Sequence, residues 1–580
     1  MKKIVLPVMF ALAVAASSGS VQAQTACPST ASNVISVGTG TPDKTTGFQI
    51  TTNTTWTRNN IYLLNGVVFV NDGVTLTIES GTIIKGDLNN QGALVIRQGG
   101  KLNAIGTPTQ PIVFTSNQPA GMRAPGDWGG IIICGRAPVN LPGNPTIEGG
   151  VNATFGGTNP ADNSGTLQYV RIEYPGVAFA VNNEINGLTL GGVGHGTTID
   201  HIQVSGSGDD SFEWFGGTVN AKYLIGLAGT DDDFDTDNGY SGRVQYGISI
   251  RDPRRGDIAT GGVSNGFESD NDATGTTNMP QTSAVFTNMT VLMPTTPTQA
   301  SPFNNADGAL IRRNSAQSIF NSVFAGRPFG LELNSNSVNL TTANAASGSL
   351  VFVNNVLAGY TAPGRAGRTT SNSGATAGFS INAFVGGNGN DTTRTVAALG
   401  LNGDNFAFGG SAGNPQLTPY FALPANSILN TGASFANAKL TGTGNGGVNS
   451  TFDVVTYRGA FGATNWATGW TNFNPQITCY NVPGSVLANK KADEQVQGLS
   501  VAPNPTEGAA KLTFELKRAS AVSVRVLDVT GRVVAVVRDG QRLSTGVQSV
   551  ELPASLQAGL YVASVTTGET TQAVRFVVTK

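Results

Sequence analysis

The sequence contains few charged residues, few histidines and few cysteines. Only 12% of its 580 residues are Asp, Glu, Lys or Arg, and the net charge of −2 gives no electrostatic reason to expect nucleic acid. Two histidines and three cysteines without paired spacing argue against a zinc site. Beyond the N-terminus, no stretch approaches the roughly 18 continuous apolar residues of a membrane-spanning helix.

Glycine and turn-forming residues are abundant instead. The 76 glycines show no Gly-X-Y period, which excludes a collagen-like chain. Ser, Thr and Asn are plentiful and helix-forming residues are scarce, a composition that favours short strands joined by tight turns. We therefore expect an all-β protein.

The N-terminus has the features of a secretory signal peptide. Lys2 and Lys3 precede an apolar stretch, residues 4–16, that is too short to span a bilayer, and small residues continue to Ala23. We expect cleavage after Ala23 and a secreted mature protein. A lipid anchor on Cys27 is the alternative, but the residues before it lack the Leu of a lipobox.

The three cysteines belong to a chain that is expected to reach an oxidising compartment. Cys134 lies within an apolar strand and is expected to be a buried thiol. A disulfide between Cys27 and Cys479 is one of the pairings that the sequence permits, because sequence alone does not fix connectivity.

Internal repetition is the main evidence for the fold of the central region. Residues 209–217 align without gaps on residues 231–239, a shift of 22, and Asn288, Asn321 and Asn354 recur at intervals of 33. One coil of a parallel β-helix uses about this many residues. We predict a right-handed parallel β-helix from about residue 61 to residue 357 or beyond.

Stacked coils would bring the three repeated asparagines above one another. Their amides would then hydrogen-bond along the stack, whereas the alternative is that each asparagine makes a separate turn. Residues 359–448 lack periodicity and predict long Gly/Asn-rich loops and irregular coils. The aromatic stretch 457–473 is expected to close the open end of the helix core, the alternative being a surface for sugar rings.

Residues 499–580 read as short alternating strands between Gly, Pro and Asp turns, as in a small Ig-like β-sandwich. This segment resembles the C-terminal sorting domain of type IX secretion cargo through Val501-Ala-Pro-Asn-Pro505, Lys511-Leu-Thr-Phe-Glu-Leu516, Ser523–Arg532, Ala558-Gly-Leu-Tyr-Val562 and Val574–Lys580. The resemblance implies docking on outer-membrane secretion machinery, followed by removal of the domain or its replacement by a surface anchor.

The region before the sorting domain, here the passenger, resembles secreted bacterial β-helix proteins of the pectin-lyase-like type. Residues 126–133 and 191–196 and the aromatic stretch contribute to this resemblance, which supports the fold but no particular chemistry. We expect a signal peptide (1–23), an N-terminal cap segment (24–60), the β-helix passenger (61–480), a linker (481–498) and the sorting domain (499–580).

Clusters of acidic residues are the best candidates for chemistry. If the aligned coils stack, matching carboxylates lie about 4.8 Å apart, where they repel each other unless positive charge is added. Calcium prefers such oxygen ligands, and we predict as its ligands Asp231, Asp232, Asp233, Asp235, Asp237, Glu268 and Asp270. The alternative is that they are solvated turn residues or pair with Arg243, Arg251, Arg254 and Arg255.

Catalysis is the second hypothesis for the same region. β-Helical polygalacturonases carry a paired-Asp element and a Gly-His-Gly element, but here the His-containing element comes first. A calcium-dependent lyase would use the ion to acidify a uronate α-proton and an arginine to remove it. The candidate catalytic residues are Asp209, Asp210, His195 and Arg251, and a structural role in a Gly-rich turn is the alternative for His195.

These observations favour a secreted or cell-surface β-helix protein with a non-catalytic role in adhesion, glycan contact or scaffolding. Its expected partners are the type IX machinery and an extracellular polysaccharide or cell surface. A polysaccharide lyase or glycoside hydrolase acting on acidic glycans is the alternative, and a self-assembling surface layer is a third.

Overall fold

The structure is a computed structural model that describes residues 27–28, 33–179, 184–252, 255–257, 264–292, 307–326, 329–334, 339–360, 362–365, 376–401, 421–484, 496–528, 532–567 and 570–579. The chain divides into two compact units, residues 1–488 and 489–580. The predicted signal peptide lies outside the described residues, as does Arg254. In the described part of the chain, no helix is long and apolar enough to cross a membrane.

The first unit is a parallel β-helix, which confirms the predicted fold. Its strands are β1 (Val34–Thr41), β2 (Phe48–Ile50), β3 (Thr54–Trp56), β4 (Ile61–Val70), β5 (Thr75–Ile78), β6 (Ile83–Gly86), β7 (Ala93–Ile96), β8 (Lys101–Ile105), β9 (Ile112–Ser116), β10 (Ile131–Cys134), β11 (Gly165–Glu173), β12 (Leu188–Gly191), β13 (Thr198–Ser205), β14 (Phe212–Phe215), β15 (Ala221–Leu227), β16 (Phe234–Asp237), β17 (Arg243–Ile250), β18 (Phe267–Ser269), β19 (Val285–Leu292), β20 (Asp307–Ile311), β21 (Ser318–Phe320), β22 (Val323–Ala325), β23 (Phe329–Leu333), β24 (Phe352–Val353), β25 (Val356–Ala358) and β26 (Ala362–Arg365). Two helices follow or interrupt the coils, α1 (Thr341–Ser347) and α2 (Ile381–Gly386).

Successive coils add strands to two long parallel sheets. The first sheet contains β11, β13, β15, β17 and β19, and the second contains β10, β12, β14, β16, β18 and β20. Phe212 pairs with Phe234, so the 22-residue shift read from the sequence is the register between β14 and β16. Alternation along each strand turns these phenylalanines inward, and their stacked rings lie 5.7 Å apart in the core.

A column of left-handed residues bends the strands of the first sheet. The residues at this position in successive coils have φ between 50° and 64°, and they are Tyr169, His201, Tyr223, Tyr246, Asn288, Asn321 and Asn354. Asparagine adopts this conformation more readily than most residues. The 33-residue recurrence of asparagine therefore marks the bend.

The predicted amide ladder exists, but at other asparagines. In the described hydrogen bonds, the Asn288 and Asn321 amides do not bond each other: they donate to the carbonyls of Tyr457 and Ser434 at 2.9 and 3.1 Å. Their bonds to the preceding coil are with the side chains of Gln245 and Thr287. The ladder lies one position later, where the Ser322 N–H donates to Asn355 Oδ1 at 2.9 Å. The Asn355 N–H donates in turn to Asn390 at 2.8 Å. The prediction of the repeat was right and the choice of residue was wrong, because the left-handed residue directs its amide outward.

The aromatic stretch 457–473 packs on the side of the β-helix and does not close its end. It belongs to a segment, residues 421–480 (the strap), that runs along the outer face of the first sheet. Trp470 is fully buried there with Phe461, against Ile225 and Ile248 of the sheet. These outward positions are apolar and need a cover. Helix α2 occupies the position expected of the aromatic stretch, since Val385 joins the helix core beside β26.

A disulfide joins Cys27 to Cys479, where the strap ends. Cys134 is a buried free thiol, and burial raises the pKa of this thiol to about 12.

The second unit is a sandwich of two antiparallel sheets, as predicted. One sheet has the order β27-β28-β31 and the other β30-β29-β32-β33. The strands are β27 (Val496–Ala502), β28 (Ala510–Leu516), β29 (Ser520–Asp528), β30 (Val533–Leu543), β31 (Gly546–Leu552), β32 (Gly559–Thr567) and β33 (Thr570–Val578). Leu512, Phe514, Val524 and Val565 are among the side chains that fill the space between the sheets.

Candidate functional site

Carboxylates cover part of the outer face of the second sheet. Inward Phe212 and Trp214 turn Glu213 outward on β14, and the register places Asp235 and then Glu268 beside it on the next two coils. With the residues that precede and follow these strands, they form the acidic face, defined as Asp209, Asp210, Glu213, Asp231, Asp232, Asp235, Asp237, Glu268 and Asp270.

A hydrogen-bonded ladder holds the start of these strands in place. The Asp232 N–H donates to Asp210 Oδ1 at 2.7 Å, and the Asn265 N–H donates to Asp232 Oδ1. The Asp307 N–H continues the ladder by donating to Asn265 at 2.9 Å. Because each of the two aspartates uses Oδ1 in the ladder, the position of its second oxygen is fixed as well.

Two overlapping groups of carboxylates are close enough to share a cation. Asp209, Asp210 and Asp231 offer oxygens within 4.8 Å of one another, and so do Asp210, Glu213 and Asp235. The Oδ1 atoms of Asp231 and Asp235 are buried and have no hydrogen-bond partner. Buried carboxylate oxygens without a donor are costly unless a cation neutralises them. The donor set consists of hard oxygens and fits calcium.

Among the described residues, arginines pair with carboxylates at one end of the acidic face. Arg312 Nε donates to both oxygens of Asp270, at 2.9 and 3.0 Å, and Arg312 also pairs with Glu268. Arg313 Nη1 lies 2.6 Å from Asp270. Among the ion pairs of the described residues, none involves the two groups of three carboxylates.

Burial and mutual repulsion raise the pKa values of the acidic face. Burial raises the pKa of Asp232 to about 7 and that of Glu268 to about 8. For Asp210, Glu213 and Asp235, burial and then neighbouring carboxylates hold the pKa well above the usual range. Asp232 and Glu268 therefore retain protons near neutral pH unless positive charge is added among these carboxylates.

Two residues of the site escaped the sequence analysis. Asn186 donates to both Glu148 and Glu213 through its Nδ2. Leu188 pairs with Phe212 on the next coil, so Asn186 lies beside Asp210. An alignment of these two coils in the sequence would have identified Asn186 as a site residue. Glu148 lies in the long insertion between β10 and β11, where no repeat marks it, and burial raises its pKa to about 7.

The structure does not bring all the predicted site residues together. Asp209, Asp210, Asp231, Asp232, Asp235, Asp237, Glu268 and Asp270 lie on the acidic face. Asp233 points into the core instead, where its carboxylate lies 3.2 Å from Arg251 Nη1 and accepts hydrogen bonds of 2.6 Å from Ser211 and Ser249. Asp233 is therefore no ligand of the acidic face, and Arg251, fully buried beside it, has no access to a substrate there.

His195 also lies away from the acidic face. The backbone N–H of His195 donates to the Pro160 carbonyl at 2.9 Å. The backbone carbonyl of His195 accepts from the Val448 N–H of the strap at 3.1 Å. Gly447 packs against the imidazole ring. These contacts fit the structural alternative for this histidine.

Comparison with known proteins gives two matches. Residues 48–399, more than half of the chain, match the family model described as a pectate-lyase like beta helix domain. Residues 500–579 match the secretion system C-terminal sorting domain. No curated protein matches the chain.

Proposed function

The chain belongs to the family of pectate-lyase-like β-helix domains, and we propose that its acidic face binds calcium and, through the ion, holds an anionic polysaccharide without cleaving it. Its C-terminal sorting domain makes it a cargo of the type IX secretion system, exported to the cell surface or the extracellular space. The observation that carries the proposal is the pair of buried, partnerless oxygens of Asp231 and Asp235 within the two groups of carboxylates.

The donor set supports calcium more than a smaller cation. Calcium accepts about six to eight oxygen ligands in flexible geometry. Asp210 belongs to both groups, so the two positions for a cation are adjacent and span neighbouring coils. Three carboxylates leave part of the coordination shell of each ion open. A uronate carboxylate of an anionic polysaccharide would complete it, with the ion offsetting the repulsion between polymer and protein.

The arginines at the acidic face support binding without lyase chemistry. Removal of a uronate α-proton needs a side chain that can accept a proton. Although burial lowers it, the carboxylates of Glu268 and Asp270 raise the pKa of Arg312 above its usual range overall. Arg313 also forms an ion pair with Asp270. An arginine locked in its charged state by carboxylates is a poor base.

One observation favours a second candidate, a glycoside hydrolase acting on acidic glycans. Glu148 and Glu213 share the amide of Asn186, and the pKa of Glu148 is raised to about 7 by burial. A carboxyl group that stays protonated near neutral pH beside a second carboxyl group is suited to protonate a glycosidic oxygen.

Polymer binding and polymer length, measured together, separate these functions. The secreted protein is incubated with a polyuronate and with a neutral polysaccharide, in calcium or in chelator. We expect calcium-dependent retention of the polyuronate alone, with unchanged chain length. Asp235→Asn, alone or with Asp232→Asn, should abolish retention. The matched control is Asp453→Asn, which removes a carboxylate paired with Lys222 outside the acidic face.

Other outcomes contradict the proposal. Shortening of the polyuronate that is lost in Glu148→Gln and Glu213→Gln would establish the hydrolase. Folded protein that neither binds nor shortens any polymer would exclude both functions for the acidic face.

A further inference from the structure

An exposed apolar strip lies along strand β30 of the sorting domain. Val533, Val534 and Val536 are 43%, 37% and 57% exposed, and Val547 of the next strand is 72% exposed. Natural proteins blunt the edges of their sheets, because an apolar edge strand pairs readily with another chain. A run of exposed valines on one edge marks an interaction site.

This edge is open, whereas the opposite edge of the sandwich is closed. Among the described strands of its sheet, β30 pairs with β29 alone, and β31 is likewise the last described strand of the other sheet. On the opposite side, Gln572 Nε2 donates to the Val496 carbonyl at 2.7 Å, and the Thr506 N–H donates to the Val577 carbonyl at 2.9 Å. These bonds join β33 to β27 and to the segment that follows β27. Strand addition is therefore accessible at β30.

Positive charge exceeds negative charge at the open edge. The sorting domain, residues 499–580, contains nine Lys and Arg residues against six Asp and Glu, although the whole chain has a net charge of −2. Arg538 and Arg542 lie on β30 and Arg532 lies just before it, whereas Asp539 lies on the same strand and Asp528 pairs with Arg532. Two copies of this edge would repel each other, and a partner with acidic side chains would be attracted.

We propose that β30 is the docking strand of the sorting domain, to which a component of the type IX secretion machinery adds an extended, acidic-flanked segment. Main-chain hydrogen bonds to the free edge supply affinity, and contacts with the exposed valines supply specificity. The match to a sorting domain identifies the machinery as the partner class. This inference is independent of calcium and polysaccharide binding by the passenger.

Secretion of the full-length chain from a type IX-secreting bacterium tests the proposal. The double variant Val534→Asp/Val536→Asp should reduce the secreted amount at least tenfold. The protein retained in the cells should remain folded, as measured by its resistance to protease. Val454→Asp, at an 80% exposed position of the passenger, is the matched control. It should be secreted like the wild type.

A conservative variant covers the case in which aspartate disrupts the fold. Val534→Thr/Val536→Thr keeps the β-branched shape of the side chains and removes their apolar surface, so it should fold and still be secreted several-fold less. Secretion of the threonine variant at the wild-type level would overturn the proposal, as would an equal loss in Val454→Asp.

Photo-cross-linking identifies the occupant of the edge. A benzophenone amino acid is placed at position 536 or, as a control, at the exposed passenger position 454 of the full chain in secreting cells. We expect an adduct from position 536 that contains a component of the secretion machinery, identified by mass spectrometry. An adduct with a second copy of the chain, or a machinery adduct from position 454 only, would overturn the proposal.

Discussion

Gln203 and Asn472 hold each other through two hydrogen bonds of 2.8 Å. The Gln203 side chain donates to the Asn472 carbonyl and accepts from the Asn472 N–H. Gln245 bonds Asp453 in the same way, and Asn321 bonds Ser434. A side-chain amide offers the same donor and acceptor as a peptide group, so the strap is attached to the first sheet without becoming one of its strands.

The first prediction concerns this attachment. Gln203→Ala removes both bonds and leaves peptide groups of the strap without partners, so the free energy of unfolding should fall by about 2 kcal/mol. Because the loss is local, protease cleavage within residues 421–480 should accelerate more than cleavage elsewhere. Denaturant unfolding and limited proteolysis provide the two measurements.

Gln168→Ala is the matched control for Gln203→Ala. Gln168 lies on the neighbouring coil of the same sheet, is half-buried, and donates to Asp200 at 3.2 Å without contributing a bond to the strap. The Gln168→Ala variant should leave the protection of the strap against protease unchanged. Equal effects of the two variants would mean that the paired bonds do not attach the strap.

The second prediction concerns the end of the strap. Cys27→Ser opens a disulfide between residues 452 positions apart and should lower the free energy of unfolding by about 2–5 kcal/mol. It should also expose one thiol, that of Cys479, to alkylation in the native protein. Cys134→Ala is the control, because the buried Cys134 thiol has a pKa of about 12 and should not react before unfolding. A reactive thiol in native wild-type protein would contradict the assignment.

The third prediction separates two adjacent asparagines. Asn355 is fully buried, donates to the Ile319 carbonyl at 3.0 Å and accepts from the Ser322 N–H at 2.9 Å. Asn355→Ala should lower the free energy of unfolding by about 2–4 kcal/mol, because two buried backbone groups lose their hydrogen-bond partners. Asn354 has φ +59°, which glycine also adopts, so Asn354→Gly should cost less than about 1 kcal/mol. If a denaturant titration showed a larger loss of free energy of unfolding for Asn354→Gly than for Asn355→Ala, the ladder would instead be assigned to Asn354.

The same pair of residues shows what the sequence could reveal. A repeat of 33 residues reports that coils stack, since equal spacing needs only equal coil length. It does not report whether a given side chain points inward or outward. That depends on the bend at Asn354, where a left-handed residue shifts the alternation by one position. The architecture was therefore predictable, and the identity of the ladder residue was not.

The acidic face was predictable to a similar extent. Gapless alignment of residues 209–217 with 231–239 placed Asp210, Asp232 and Asp235 correctly. It could not separate Asp233, which lies just before β16 and, like the adjacent Phe234, points into the core, where it meets Arg251. It also could not find Glu148, which reaches the site from an insertion. The cover over the first sheet was missed because the strap has no period of its own.

The fourth prediction follows from the raised pKa values of the acidic face. Burial raises the pKa of Glu148 and Asp232 to about 7 and that of Glu268 to about 8, whereas carboxyl groups of an unfolded chain titrate near about 4. Between about pH 4 and pH 8 the folded state thus binds more protons than the unfolded state. In chelator, the free energy of unfolding should therefore fall as the pH rises through this window.

Carboxylates with lowered pKa values act outside this window. Asp43, Asp272 and Asp391 accept hydrogen bonds that lower their pKa despite the opposing effect of burial. Their contribution is present above about pH 4 and is lost only below it. Between pH 5 and 7.5 the acidic face should set the sign of the slope, and Asp127 and Asp162, whose pKa values burial also raises, act in the same direction.

Thermal unfolding at pH 5 and pH 7.5 tests this sign. In chelator the Tm should be lower at pH 7.5, and Asp232→Asn should reduce the difference, because it removes one of the titrating groups. Asp72→Asn, at an exposed surface ion pair, should leave the difference unchanged. Calcium should raise the Tm more at pH 7.5 than at pH 5, since ion and protons compete for the same carboxylates. A Tm that rises with pH in chelator would contradict a protonated acidic face.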